Sequence, residues 1–273
     1  TVDAAVVVLG VSPQVEGEEG ASVASEHLGD RIDLHLPPAQ LEFLRKIRED
    51  NDRPVIVVLT GGSPIASPEV HELADAVLFA WYPGQQGGTA VADVIFGKVS
   101  PSARLPITFP MSEEQLPPYE DYSMAGRTYK YMKEKPLYPF GYGLSYATFD
   151  YDEPALSAKK VKSGESVEVS VKLANTGGMT ATEIVQLYIS SEDAEFDVPV
   201  STLIDFETVT LAAGAEQVVS FTVTPEQMDV FDPEGKRQRI KGKYTLHVGG
   251  VSPGERGAEL TGTALKTAQF SVH

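Results

Sequence analysis

The sequence predicts a multidomain chain in which an open α/β domain precedes an all-β sandwich. Continuous β-branched runs at residues 4–10 and 54–60 are typical of strands that are buried on both faces of a parallel sheet. Between them, residues 39–49 place apolar side chains on one helical face and charged side chains on the other. After about residue 154 the pattern changes to short alternating strands, which indicates an antiparallel sandwich.

The α/β pattern continues through another helix, a strand and a further helix. Ser67 is followed by a proline, which predicts a helix that begins with Ser67 as its N-cap. Residues 76–81 form a third apolar run, and residues 88–96 predict a helix that Gly97 ends. This alternation predicts an α/β domain over residues 1–110.

A segment rich in proline and aromatic residues occupies residues 111–154. Its prolines interrupt regular elements. Because its tyrosine and phenylalanine rings favour packed environments, we expect an ordered linker and not a disordered one.

The final 119 residues, 155–273, alternate apolar and polar positions with frequent turn residues. The pattern predicts a β-sandwich of about seven strands. The clearest predicted strands cover residues 166–174, 183–190, 217–223, 242–248 and 268–272.

Composition excludes several classes of function. The 273 residues carry 22 basic and 39 acidic side chains, a net charge of −17, which argues against a nucleic-acid partner. The absence of cysteine excludes a disulfide framework and a cysteine nucleophile. The histidines do not follow metal-ligand spacing, and no apolar run is long enough to span a bilayer, so we expect neither a metal site nor a membrane segment. The chain opens directly into a strand-like run without an initiator Met, so we expect a processed chain or a fragment.

Several runs resemble a known enzyme family. Residues 55–151 contain the runs VIVVLTGGSPIAS, AVLFAWYPGQQGGTAVADVIFGKVSPSARLPITFP and PLYPFGYGLSYATFDY, which resemble the C-terminal half of family 3 glycoside hydrolases. Later runs, NTGGMTATEIVQLYIS and VTPEQMDVFDPEGK, are similar to the fibronectin type III-like (immunoglobulin-like) module that many members carry. The resemblance implies that the family's (β/α)₈ barrel, which bears the Asp nucleophile, is absent from this chain, because two other domains occupy its length.

The resemblance also implies a position for the general acid/base. In the family this group lies on the loop after a strand of the α/β domain, before an Asp-Arg pair. Here the matching stretch is EGEEG, in which Glu18 is the favoured candidate and Glu19 the second, and Asp30-Arg31 follows after a longer insert than the family pattern has. Neighbouring carboxylates raise one another's pKa, which suits a group that must stay protonated. The alternative is a solvated acidic loop without a catalytic role.

Two further residues are candidates for substrate binding. Trp81, followed by Tyr82, lies at the carboxyl end of the third predicted strand, where an aromatic ring suits stacking on a sugar; closure of the core is the favoured alternative. Arg127, in the run GRTYKY, suits contact with sugar hydroxyls, with packing between domains as the favoured alternative. We interpret Arg31 as a brace of the acidic loop through a salt bridge with Asp30, in preference to direct contact with substrate. The Gly61-Gly62 turn is interpreted as structural, because it lacks a phosphate-binding fingerprint.

The resemblance predicts a β-glucosidase that removes terminal β-glucosyl residues with retention of configuration. This chain supplies the acid/base, and a barrel-bearing chain or segment is the expected partner besides the saccharide substrate. No cofactor is expected, because the mechanism needs only carboxyl groups and water. The alternatives are a β-xylosidase of the same family, a non-catalytic carbohydrate-binding or structural module, and a nucleotide-binding α/β protein. A secreted or periplasmic location is favoured over a cytoplasmic one.

Overall fold

The computed structural model describes residues 2–16, 31–49 and 51–273. The chain forms two compact units. Unit 1 consists of Thr1–Phe96 and Phe109–Leu116, and unit 2 of Gly97–Thr108 and Pro117–His273. The domain boundaries predicted at residues 110 and 154 stay predictions.

Unit 1 is an α/β layer built on a parallel sheet in the order β1-β2-β3. Strands and helices alternate along the chain, as the sequence predicts. The elements are β1 (Ala5–Gly10), α1 (Pro13–Glu16), α2 (Pro38–Glu49), β2 (Val55–Thr60), α3 (Pro68–Leu73), β3 (Ala76–Phe79), α4 (Gly87–Ile95) and a 3₁₀ turn (Glu113–Gln115).

The core of unit 1 lies on one face of this sheet. Val7 and Leu9 of β1 are in register with Val57 and Leu59 of β2, and all four are buried. Leu44 of α2 is fully buried against them, which is the role that the helical periodicity predicts.

Ser67 precedes α3 as predicted, but its side chain makes no hydrogen bond to that helix. Its Oγ accepts a hydrogen bond from the N–H of Leu36 at 2.9 Å, and both residues are buried. Because a buried backbone N–H must be paired, the Ser67 hydroxyl is used to accept the Leu36 N–H and does not cap α3.

Unit 2 is a β-sandwich with short helical additions. One sheet has the order β10-β7-β4, with β5 also paired to β7, and the other has the order β6-β14-β13-β8-β9. The elements are α5 (Thr128–Tyr131), β4 (Phe149–Tyr151), β5 (Ala155–Leu156), β6 (Lys160–Val161), β7 (Val167–Asn175), β8 (Ala181–Ser191), β9 (Thr202–Leu211), β10 (Glu216–Val223), a 3₁₀ turn (Pro225–Met228), β11 (Asp229–Phe231), β12 (Arg237–Arg239), β13 (Gly242–Gly249), α6 (Glu255–Thr261) and β14 (Lys266–Val272).

Alternation along β7 shows why the chain forms a sandwich. Val167, Val169, Val171 and Leu173 point into the core and are at most 1% exposed, while the residues between them are exposed or half-buried. The predicted strands are present, and β9 is the longest of the described strands that the sequence did not predict. Only two of its ten residues are buried, so it carries little of the apolar signal that marks a strand.

Within the described residues, no helix is long and apolar enough to cross a lipid bilayer.

Candidate active site

The carboxyl ends of the three parallel strands form one edge of unit 1. The Val11 N–H, just after β1, donates to the Thr60 carbonyl at 2.9 Å. The Gly61 N–H, just after β2, donates to the Trp81 carbonyl at 3.3 Å. These bonds hold the residues directly after the three strands side by side, at the edge where open α/β sheets bind ligands.

Gln40 of α2 fixes the point at which β1 ends. Its Nε2 donates to the Gly10 carbonyl at 2.7 Å, and its Oε1 accepts the Gly10 N–H at 2.8 Å. Gly10 has φ of +144°, and a Cβ there would lie 1.9 Å from the Thr60 carbonyl oxygen. The chain therefore leaves the sheet at a position that only glycine fits.

Gly10→Ala is expected to lower the free energy of unfolding of unit 1 by about 2 kcal/mol or more, since the new methyl group meets backbone atoms and the backbone is strained at this φ. Urea denaturation followed by the fluorescence of Trp81, the single tryptophan, measures it. The control is Gly88→Ala in α4, where a Cβ meets no atom within 4 Å. It should raise stability by about 0.5–1 kcal/mol. If the urea midpoint of Gly10→Ala equalled that of wild type, the conclusion that only glycine fits at position 10 would be wrong.

Arg31 connects the chain after residue 30 to the turn that follows β2. Its Nη2 donates to Ser63 Oγ at 2.7 Å and to the Pro64 carbonyl at 3.4 Å, and its Nη1 donates to the His35 carbonyl at 3.3 Å. The predicted pairing with Asp30 lies outside the described residues. These hydrogen bonds tie Arg31 to the turn after β2.

Both acid/base candidates, Glu18 and Glu19, lie outside the described residues. The described residues on either side belong to the same edge: α1 follows β1 almost directly, and Arg31 contacts the turn after β2. The roles of the two carboxyl groups stay predictions.

Trp81 stands at the carboxyl edge with an unusual backbone. Its φ is +54°, in the left-handed region that non-glycine residues seldom occupy. Its ring lies edge-on to Phe79 at 4.5 Å and to Phe109 at 6.2 Å between centroids, and the side chain is half-buried. Such strain costs about 1–3 kcal/mol and concentrates at functional sites. Its predicted substrate contact stays a prediction.

Tyr82 follows Trp81 directly and lies at the same edge. Its ring packs over the turn after β2: a Cβ at Gly62 would lie 2.7 Å from Tyr82 Cε2. Tyr82 is 49% exposed, so part of its ring faces solvent. The Trp81-Tyr82 pair at the end of the third predicted strand is the sequence signal that points to it.

Arg127 lies in unit 2 and contacts its own loop. Nη2 donates to the carbonyl groups of Asp121 at 2.6 Å and Pro118 at 3.2 Å, and Nε donates to that of Ser123 at 3.2 Å. The guanidinium group therefore holds residues 118–127 in one compact turn. Its predicted contact with a sugar stays a prediction.

Unit 2 also contains a buried polar cluster that sequence reasoning did not identify. Arg104 Nη2 donates to Glu183 Oε2 at 2.7 Å, and the Tyr151 hydroxyl donates to Oε1 at 3.1 Å. The Arg104 and Glu183 side chains are 9% and 6% exposed. Burial raises the pKa of Glu183 above its ordinary value, while the positive charge of Arg104 opposes this rise. The cluster joins β8 to β4 and to the segment that contains Arg104.

Over residues 2–16, 31–49 and 51–273, no group of three His, Asp or Glu side chains is placed to hold a metal ion.

Two stretches of the chain match the profiles of known protein domains. Residues 1–146 match the profile of the glycosyl hydrolase family 3 C-terminal domain, and residues 183–252 match that of the fibronectin type III-like domain. The predicted resemblance and fold class are thereby confirmed.

Several relatives are glycosidases of much greater length. A xylan 1,4-β-xylosidase of Xylanibacter ruminicola is 41% identical over 88% of this chain, which spans 28% of that protein. A β-glucosidase of Bacteroides ovatus is 35% identical over 84% of this chain and 33% of its own length. The chain thus spans about a third of the length of these relatives.

Solved structures show the same fold along the whole chain. A β-glucosidase from Erythrobacter marinus superposes with a TM-score of 0.83 at 33% identity, over 99% of this chain and 34% of its own. A β-glucosidase from Listeria innocua, solved in complex with laminaribiose, gives a TM-score of 0.81 at 28% identity, over 99% of this chain and 36% of its own.

Proposed function

This chain belongs to glycoside hydrolase family 3, and we propose that it is the C-terminal portion of an exo-acting, retaining β-glycosidase. The observation that carries the proposal is the 41% identity, over 88% of the chain, to a xylan 1,4-β-xylosidase. Because the chain spans only about a third of such relatives, the proposed activity requires a barrel-bearing segment or partner chain.

The proposed role of this chain is general acid/base catalysis from the carboxyl edge of unit 1. A retaining glycosidase places its two carboxyl groups about 5–5.5 Å apart. The nucleophile, on the barrel, attacks the anomeric carbon while Glu18, or Glu19 as second candidate, protonates the departing oxygen. The same group then removes a proton from the water that hydrolyses the glycosyl-enzyme.

The contacts around this edge support the role. Gln40 bonds to Gly10 before the acidic stretch, and Arg31 bonds to Ser63 after it, so the described chain on both sides of that stretch is held at this edge. Trp81 supplies a half-buried ring at the same edge, and we assign it to the face of a bound sugar.

β-Glucoside hydrolysis is the proposed activity, and β-xyloside hydrolysis is the alternative. Two solved β-glucosidase structures superpose on the chain, which supports the first. The alternative rests on the 41% identity to a xylosidase.

The experiment combines this chain with the barrel-bearing segment and compares aryl β-glucoside with aryl β-xyloside. We expect no hydrolysis by the chain alone, hydrolysis by the assembled complex, and a higher kcat/KM for the glucoside. A higher value for the xyloside would establish the alternative. An assembled complex that hydrolyses neither would refute the proposed activity and favour a binding or structural module.

A further inference from the structure

Two tyrosine rings in unit 2 are almost fully exposed. Tyr119 and Tyr122 are 86% and 87% exposed, the highest values among the exposed large hydrophobic side chains of the described residues. Both belong to residues 117–127, here called the Tyr119/Tyr122 loop. Rings in such positions add nothing to the core, and each can bury about 150–250 Å² against a ligand.

The Tyr119/Tyr122 loop is internally braced. Arg127 donates to three of its carbonyl groups, as described above. The Asp121 N–H donates to the Pro118 carbonyl at 3.0 Å, and the Ser123 N–H donates to Asp121 Oδ1 at 2.8 Å. Because the loop is already ordered, a ligand that stacks on the rings loses less affinity to the ordering of the backbone.

We propose that the Tyr119/Tyr122 loop is a stacking platform for a neutral β-linked polysaccharide chain. A tyrosine ring presents an apolar face and a polar hydroxyl, which match the C–H face and the hydroxyl rim of a pyranose. Glu120 and Asp121, between the two rings in sequence, are acceptors for sugar hydroxyl groups. The choice of a β-linked polysaccharide rests on the proposed function. Binding to the Tyr119/Tyr122 loop does not require hydrolysis and can be measured without it.

The negative charge of the loop and of the whole chain favours a neutral polysaccharide over an acidic one. The backbone N–H of Ser123 lowers the pKa of Asp121, so this carboxylate is ionised at neutral pH. It adds to Glu120 and to a net charge of −17, which together repel a polyuronate chain. An unsubstituted xylan or a β-glucan meets no such repulsion.

Native gel electrophoresis of the 273-residue chain, in gels that contain unsubstituted xylan or mixed-linkage β-glucan, tests the proposal. We expect retardation by at least one of these polymers and none by polygalacturonate. The double substitution Tyr119→Ala with Tyr122→Ala should weaken binding about tenfold or more, since it removes both contact rings.

Matched variants separate stacking from loss of structure. Tyr119→Phe with Tyr122→Phe keeps the rings and should retain most of the retardation. Phe206→Ala, at a ring that is 57% exposed on β9, should leave it unchanged. Arg127→Ala keeps both tyrosines but removes the brace, so retardation should weaken while the far-UV circular dichroism stays that of wild type.

Three results would overturn the platform: no retardation of the native chain, equal retardation of the double alanine variant, or equal retardation by polygalacturonate. If that variant instead bound the barrel-bearing segment less tightly with unchanged retardation, the rings would contact protein and the platform would be refuted. A chain that is retarded but gives no hydrolysis with the barrel would refute the proposed function alone. A chain that gives hydrolysis without retardation would refute only the platform.

Discussion

Glu18→Ala in the assembled enzyme is expected to lower kcat/KM for a β-disaccharide by about 10²–10⁴-fold, the usual contribution of a general acid. The loss arises because a sugar alkoxide leaves poorly without a proton. An acidic phenol departs from an aryl glycoside without being protonated. The step that forms the glycosyl-enzyme from such a substrate should therefore be nearly unaffected. Steady-state kinetics on both substrates measure the difference.

Azide provides a second readout of the same role. With Glu18 removed, the glycosyl-enzyme formed from an aryl glycoside lacks a base, and azide, which needs none, should restore turnover and yield the β-glycosyl azide. The matched control is Glu19→Ala, which should behave as wild type on both substrates. If Glu19→Ala gave the leaving-group dependence and Glu18→Ala did not, the assignment would move by one residue.

Much of the fold could be predicted because its signals are local. The parallel sheet of unit 1 follows from continuous β-branched runs, and the sandwich follows from period-two alternation such as that of β7. Strand β9 carried too weak a signal, since most of its side chains face solvent. The use of Ser67 as a partner for Leu36 was not predictable either, because the two residues are 31 positions apart.

The candidate site was only partly predictable, because the contacts that build it join residues far apart in the sequence. Family resemblance selects the acidic stretch, but the contacts that fix its surroundings are tertiary. Gln40 reaches Gly10 across 30 residues, and Arg31 reaches Ser63 across 32. Arg127 was chosen for its charge, whereas its observed hydrogen bonds are all to nearby carbonyl groups, which no residue pattern specifies.

Arg104→Met is expected to lower the free energy of unfolding of unit 2 by about 3–5 kcal/mol at neutral pH, the usual cost of leaving a buried charge without its partner. The substitution leaves the Glu183 carboxylate with only the Tyr151 hydroxyl as a side-chain partner in the described structure. Urea denaturation followed by far-UV circular dichroism measures the loss. The double substitution Arg104→Met with Glu183→Met should recover most of it, because two apolar side chains then replace the ion pair.

The pH dependence distinguishes an unpaired charge from simple loss of packing. Burial already raises the pKa of Glu183, and removal of Arg104 takes away the main opposing contribution. A carboxyl group whose pKa is raised on folding contributes stability below its ordinary pKa, and this stability is lost as the pH rises through the folded value. The deficit of Arg104→Met should therefore shrink as the pH falls below neutral, because the raised pKa lets this carboxyl group bind a proton at a higher pH than an ordinary glutamate does. A deficit that is constant from pH 7 to 4.5 would assign the loss to packing of the Arg104 side chain, because a packing defect does not titrate.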